Sequence, residues 1–359
     1  MSFLSASWPA SWSRVILTLL LALAAALLCV WLRTPIPWMI GPLLATALAS
    51  ALGARTDSWN PFRNAGQCAI GAALGLYFTP AVGALVISLW WSIALGVAWA
   101  LLLGMACGAW LRRVHAGHLN QLTPAQLRST TYYAGAIGAA SEMTLLAERR
   151  GARTDLVAAS HSLRVLLVTV TIPFALQSWG VTGVDIFVAG LREVHLAGFA
   201  LLMGFCALGA WVVHRLGRPN PWFMGALLVA TVITLCGVSL SAMPQAVSNA
   251  AQLVIAVSLG VRFTPAFMHT APRWLASVAV ATFAMMGLCA AFGWVLAQLA
   301  GLHPATMVLG TSPGGIAEMA ITAKVLQLGV PVVTVFQVCR LVAVLVLVEP
   351  LFRWRYERQ

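Results

Sequence analysis

The chain has 359 residues, of which 61% are hydrophobic and only 8% charged, and carries a net charge of +12; its mean hydropathy is +0.90. A soluble domain carries roughly a quarter charged residues, so a water-coated globular surface is excluded and the solvent that fits this chain is a bilayer. The positive charge does not point to nucleic acid. It sits at the ends of apolar runs (Arg112 and Arg113; Arg149, Arg150 and Arg153; Arg215 and Arg218; Arg353, Arg355 and Arg358), where membrane proteins collect basic residues in short loops.

In chain order, Arg14 precedes an apolar run over 15–32 that ends in Arg33-Thr34-Pro35 with no small-x-small cleavage site, so it reads as a first retained helix rather than a signal peptide. Further runs predict helices over 37–53, 64–79, 82–110, 125–148 and 156–178, and then over 195–214, 221–241, 248–263, 274–300, 304–327 and 331–352. They lack the alternation of barrel strands and are too long for them, and lipid leaves helices as the alternative. The expected fold is an all-α integral membrane protein of about ten to twelve transmembrane helices. The longest polar stretch, 112–128, is too short for a soluble domain.

The two sets of runs are copies of one unit, 1–180 and 181–359. Pro35-Ile36-Pro37-Trp38-Met39-Ile40-Gly41 matches Pro219-Asn220-Pro221-Trp222-Phe223-Met224-Gly225. Gln67, Gly75, Phe78, Thr79 and Pro80 match Gln252, Gly260, Phe263, Thr264 and Pro265. Ser141-Glu142-Met143 matches Ala317-Glu318-Met319, and His161 and Arg164 match Gln337 and Arg340. Six spanning segments per copy would make the copies parallel; an odd number would invert them.

The residues that carry chemistry are two intramembrane charges per copy. Glu142 and Glu318 sit in Gly-rich apolar segments, and Arg164 and Arg340 each follow their glutamate by 22 residues. A charge at a helix centre costs roughly 2.5–3.5 kcal/mol, so the spacing predicts Glu–Arg pairing across a helical hairpin. Two readings stay open: a pair that only pins two helices, or a site for an ion, a proton or an anionic substrate. Ser312-Pro313-Gly314-Gly315 before Glu318 predicts a broken helix, since Pro lacks a donor and Gly loosens the helix. Half-helix ends of this kind bind ions. The first copy has Gly135-Ala136-Ile137-Gly138-Ala139, so its break is expected to be weaker, with glycine serving close helix packing as the other reading there.

Pro37 and Pro221 suit the first turn of a helix. Gly71 and Gly75 form a G-x-x-x-G packing face, of which Gly260 keeps half, and Gln67 and Gln252 are candidates for hydrogen bonds between helices. His161 shares a helix face with Arg164 and could relay a proton, although its counterpart is Gln337. Seven cysteines lie without a C-x-x-C pattern, and His115 and His118 share a loop with no further ligands nearby. No metal site, cofactor, nucleotide loop or nucleophile–base constellation is expected, and no enzyme.

At these motifs the chain resembles the AbrB family of bacterial inner-membrane proteins, which is defined by a duplicated membrane unit. The residues that carry the resemblance are the two P-x-P-W-x-x-G openings, the two helix ends running to Thr79-Pro80 and Thr264-Pro265, and the Glu142 and Glu318 sites, each followed by an arginine. The family also looks distantly similar to bile-acid-type symporters and cation–proton antiporters, whose G-L-x-L-T-P and P-G-G motifs are matched by Gly260–Pro265 and Pro313-Gly314-Gly315. One family member is described as a regulator of a stress-response gene, and an older label reads ammonia monooxygenase. The resemblance thus implies a multi-pass protein of the bacterial inner membrane. The leading expectation is a secondary transporter of a small anionic or amphipathic solute, coupled to H⁺, to Na⁺ or to neither; the alternative is a membrane regulator acting indirectly on gene expression. The expected partners are the lipid bilayer and a small-molecule or ion substrate, with no direct nucleic acid; a homo-oligomer stays open.

Overall fold

Helices make up the regular structure of the computed structural model, which describes residues 12–117, 122–181, 183, 193–218, 220–265 and 272–356. Fifteen helices occur among the described residues: α1 (Trp12–Trp31), α2 (Pro37–Ala51), α3 (Asn60–Gly75), α4 (Pro80–Ser88), α5 (Trp90–His115), α6 (Pro124–Gly135), α7 (Ala140–Arg149), α8 (Thr154–Ser178), α9 (Leu196–Arg215), α10 (Pro221–Leu235), α11 (Gln245–Gly260), α12 (Pro272–Ala300), α13 (Pro304–Thr311), α14 (Ile316–Val325) and α15 (Val330–Tyr356). Among the described residues, α1, α5, α8, α9, α12 and α15 are each long and apolar enough to cross a membrane. The pair α3–α4, bent by 87°, makes up to seven. The sequence runs predicted more full spans. The difference lies in α2, α10 and α11, which are apolar but only 15 or 16 residues long, and in two runs that are broken in the middle.

The chain divides into two compact units that cut across its midpoint. One takes residues 1–87, 184–268 and 324–331; the other takes 88–183, 269–323 and 332–359. Each unit therefore draws on both halves of the sequence.

In the first unit the helices touch through glycine. A Cβ on Gly41 of α2 would lie 2.6 Å from the Ala25 carbonyl of α1, and one on Gly225 of α10 would lie 2.6 Å from the Ala210 nitrogen of α9. Gly71 of α3 seats against the Phe223 carbonyl of α10, with the Leu227 nitrogen 3.1 Å from where a Cβ would stand. Gly75 packs on Ala230 and Thr231 one turn further on. Gly260 of α11 meets Thr46 and Ala47 of α2. Apolar side chains gain nothing from leaving one another for lipid, so close backbone packing is what holds such helices together. Gln67 and Gln252 play a different part from the one expected: Gln252 is buried, but neither side chain makes a hydrogen bond among the described residues, because small residues already bring the backbones together. Leucines at the outer faces of α1 and α9, such as Leu17, Leu28, Leu201 and Leu208, are exposed, as a lipid-facing surface requires.

Pro37 and Pro221 open α2 and α10 in their first turn. The residues before them, Ile36 and Asn220, take left-handed backbone at φ 45° and 47°. Asparagine tolerates that conformation; for a β-branched isoleucine it costs roughly 1–2 kcal/mol, offset by the burial of its side chain. Pro219 lies outside the described residues.

The second unit packs in the same way. Gly104 and Gly108 of α5 receive Ala136 and Tyr132 at 3.2 and 3.1 Å from their Cβ positions, and Gly293 of α12 receives Val308 of α13 at 2.9 Å. The Trp274 indole nitrogen on α12 donates to the Ser160 hydroxyl of α8 at 2.9 Å. Replacing Gly71 by Leu is expected to abolish the folded state or cost about 3 kcal/mol or more, since the obstruction is backbone. Gly204→Ala in α9, where nothing lies within 4 Å of the new Cβ, should leave stability unchanged or raise it by up to about 1 kcal/mol. Thermal unfolding of the purified variants checks both.

Candidate functional site

Two apolar runs of the second unit are interrupted at the same depth of their sequence pattern. α6 stops at Gly135 and α7 starts at Ala140; α13 stops at Thr311 and α14 starts at Ile316. Pro313, Gly314 and Gly315 account for the second break. The first, expected to be weaker, is equally long without a proline. Gly135 is held against α5, where a Cβ would sit 2.7 Å from the Gly104 carbonyl and 2.8 Å from the Gly108 Cα, so the packing role foreseen for glycine and the break coexist there.

Ending a helix inside an apolar interior leaves its last carbonyls without donors. In the first break side chains of α8 supply them. The Tyr132 carbonyl accepts from the Ala136 amide at 3.1 Å, and that of Tyr133 accepts from His161 Nε2 at 3.0 Å. The carbonyls of Ala134, Gly135 and Ala136 accept from the Arg164 guanidinium at 2.8, 3.3 and 3.0 Å. His161 Nδ1 faces Arg164 Nη2 at 3.2 Å. Since guanidinium only donates, Nδ1 must accept, and the imidazole is the neutral Nε2–H tautomer. That arrangement has no free nitrogen with which to relay a proton.

The second break is served from α15. Gln337 Nε2 donates to the Leu309 carbonyl at 2.7 Å and to the Ser312 carbonyl at 3.2 Å. Arg340 donates to the Ser312 carbonyl and, at 2.7 Å, to that of Gly314. The side chains thus reach back by the same 28 residues in both breaks, His161 to Tyr133 as Gln337 to Leu309, and Arg164 to Ala136 as Arg340 to Ser312.

Among the described residues no ion pair joins Glu142 to Arg164, and Arg164 and Arg340 hydrogen-bond to backbone carbonyls. Each arginine meets carbonyls lying 26 to 30 residues before it, whereas the glutamate, at 22 residues, sits in the first turn of the following half-helix. The break, which an uninterrupted hairpin lacks, displaces the carboxylate by a turn. There Glu318, 7% exposed, folds back over its own helix start, its carboxylate filling the space a Cβ on Gly315 would need. A carboxylate suits the positive end of a helix. Glu142 is half-buried, and no described residue hydrogen-bonds it.

The two breaks differ in how completely they are satisfied. No buried polar atom of His161 or Arg164 is left over. In the second break, Arg340 Nε and Gln337 Oε1 are buried without a hydrogen-bond partner among the described residues. Arg340 does not reach the Gly310 and Thr311 carbonyls, the counterparts of Ala134 and Gly135. A cleft of about 10 Å³ beside the first break, lined by Tyr132, Ala136, Ile137 and Val344 among others, has room for one water and no more.

One cluster escaped the sequence reading. Glu349 in α15 accepts from Arg150 Nε at 2.9 Å and from the Tyr133 hydroxyl at 2.5 Å, and the Tyr132 hydroxyl donates to the Val348 carbonyl at 2.8 Å. The rule that singled out Glu142, an acid inside an apolar run, applies equally to Glu349 and would have found it. His115 belongs to a packing contact, its Nε2 3.1 Å from the Ser277 hydroxyl and its ring 4.9 Å from Trp274; His118 lies outside the described residues. Because Gln337 performs in α15 the donation that His161 performs in α8, His161→Gln should fold with near wild-type stability. His161→Leu should lose about 1–3 kcal/mol by orphaning a buried carbonyl. Denaturation midpoints of the two variants measure the difference.

The model of the family described as "Transition state regulatory protein AbrB" matches residues 38–356. The chain is 24% identical over 347 residues to "Uncharacterized protein YhjN" of Bacillus subtilis (strain 168), covering 89% of this chain and 87% of that protein. It is also 24% identical over 315 residues to "Putative regulator AbrB" of Escherichia coli (strain K12), covering 87% of each. With a match that takes in both helix breaks and both carbonyl-binding arginines, the chain belongs to the AbrB family.

Proposed function

We propose that the chain is a secondary transporter of a small anionic or amphipathic solute across the bacterial inner membrane, driven by an H⁺ or Na⁺ gradient, with its working site at the second break. The observation that carries this reading is a pair of helices broken within one compact unit, their ends held by buried arginines and one break left with unused donors and acceptors. Broken helices of this kind are where carriers bind solute and coupling ion. A purely structural break would close its hydrogen bonds, as the first one does. Each guanidinium lies against backbone carbonyls, and the half-helix starting at Ile316 adds a partial positive charge. The charge balance at the break therefore favours an anion whenever Glu318 is protonated.

We read the two halves as a duplication. The four matched sequence blocks and the shared 28-residue reach of His161 and Gln337, and of Arg164 and Arg340, support it. The partners in this reading are lipid and a small solute, with no nucleic acid and no catalytic step. The regulator reading rests on the printed names of the family and of its Escherichia coli relative; a carrier could meet it indirectly, by moving a signal molecule.

The test is flux in proteoliposomes, with a panel of small organic anions and imposed pH or Na⁺ gradients. Wild-type protein should show gradient-driven flux. Glu318→Gln should lower it at least about tenfold while the protein remains monodisperse, and Glu142→Gln should lower it less. Flux that is indifferent to Glu318→Gln would sink the site assignment.

A further inference from the structure

The carbonyls at the end of a broken half-helix are the usual seat of a coupling cation: several oxygens converge there, at the negative end of a helix dipole. Here guanidiniums already bind several of those oxygens, three in the first break and two in the second, where the Gly310 and Thr311 carbonyls lie beyond Arg340. Arg164 binds the carbonyls of Ala134, Gly135 and Ala136, and Arg340 binds those of Ser312 and Gly314. Both arginines are rooted in the neighbouring helices α8 and α15 and are almost fully buried, at 4% and 6% exposure. His161 and Gln337 take the adjoining carbonyls of Tyr133 and Leu309.

We propose that these guanidiniums are built-in substitutes for a metal cation, so that neither break binds Na⁺ and the coupling ion is the proton, carried by Glu318. The coupling half of this statement rests on the transport reading above; the occupied seats do not. A guanidinium is as positive as Na⁺ but spreads its charge over five donors in a plane, which suits carbonyls strung along an unwound strand. Being covalently attached, it cannot leave with the cargo. A carboxylate folded over the start of α14, rather than one facing the carbonyls, is then the group left to change charge during a cycle.

The experiment needs only the purified full-length protein and inorganic salts, with unfolding followed by the fluorescence of its 15 tryptophans. At equal ionic strength the wild-type Tm should be the same in NaCl and in choline chloride. Arg340→Ala should lower Tm by about 5 °C or more and recover at least half of that loss in millimolar methylguanidinium, but not in methylurea, which has a similar shape and no charge. A Tm of the wild type raised specifically by NaCl would overturn the proposal. So would an Arg340→Ala variant that methylurea restores as well as methylguanidinium does. If that variant does not fold, the wild-type comparison still decides. Proteoliposome flux separates the two layers. Flux driven by a Na⁺ gradient at fixed pH would keep the transporter and overturn the occupied seats. Methylguanidinium rescue with no flux of any solute would keep the seats and overturn the transporter.

Discussion

Everything particular to the second unit depends on one interaction, a buried guanidinium bonded to the carbonyls of an interrupted helix. Neither component is tolerable alone. An arginine at the middle of a membrane helix costs roughly 2.5–3.5 kcal/mol, and each unpaired buried carbonyl costs about 1–3 kcal/mol. Placed together, two to three carbonyls and one cation cancel much of each other's cost. The helix then stops in mid-run because α8 or α15 supplies the donors that a further turn would have supplied. The half-helix that follows, α7 or α14, is thereby free to start afresh, with an amide end available in the interior.

The same logic explains why the carboxylates stand where they do. With the arginines bonded to carbonyls, Glu142 and Glu318 stand in the first turn of their own half-helices, whose positive ends favour a carboxylate. For Glu318 that is the position observed, folded over Gly315. The glycine is required by that arrangement, because any side chain there would displace the carboxylate. Pro313-Gly314-Gly315 therefore does two jobs: the proline ends α13, and the last glycine makes room for the acid that stabilises α14.

The helical, membrane-type fold was legible from composition and run length, and so were the broken second helix, the packing glycines and the burial of Arg164, Arg340 and Glu318, because each follows from a local rule about lipid or about Pro and Gly. What spacing could not deliver was the partnership. Counting 22 residues from Glu to Arg assumes a continuous hairpin, and a single displaced turn substitutes carbonyls for the carboxylate. Backbone carbonyls have no letter in a sequence, so a site made largely of them is invisible to residue patterns. The first break was underestimated for a related reason. Without a proline, its stop depends on Arg164 in the next helix and on Gly104 and Gly108 in the previous one, contacts that lie far along the chain.

A strictly symmetrical pair of breaks would have no reason to leave buried atoms unsatisfied on one side only. The first break closes its accounts, from the Tyr132 carbonyl to that of Ala136. The second has a Pro-Gly-Gly segment, a guanidinium displaced toward Gly314, and an unused donor and acceptor three residues apart on α15. Hydrogen bonds sealed with three carbonyls resist rearrangement, whereas a shorter set beside two glycines can be exchanged. The difference between Ala136-Ile137-Gly138-Ala139 and Ser312-Pro313-Gly314-Gly315 is thus the difference between a break whose carbonyls are closed by three guanidinium bonds and one held by a shorter set.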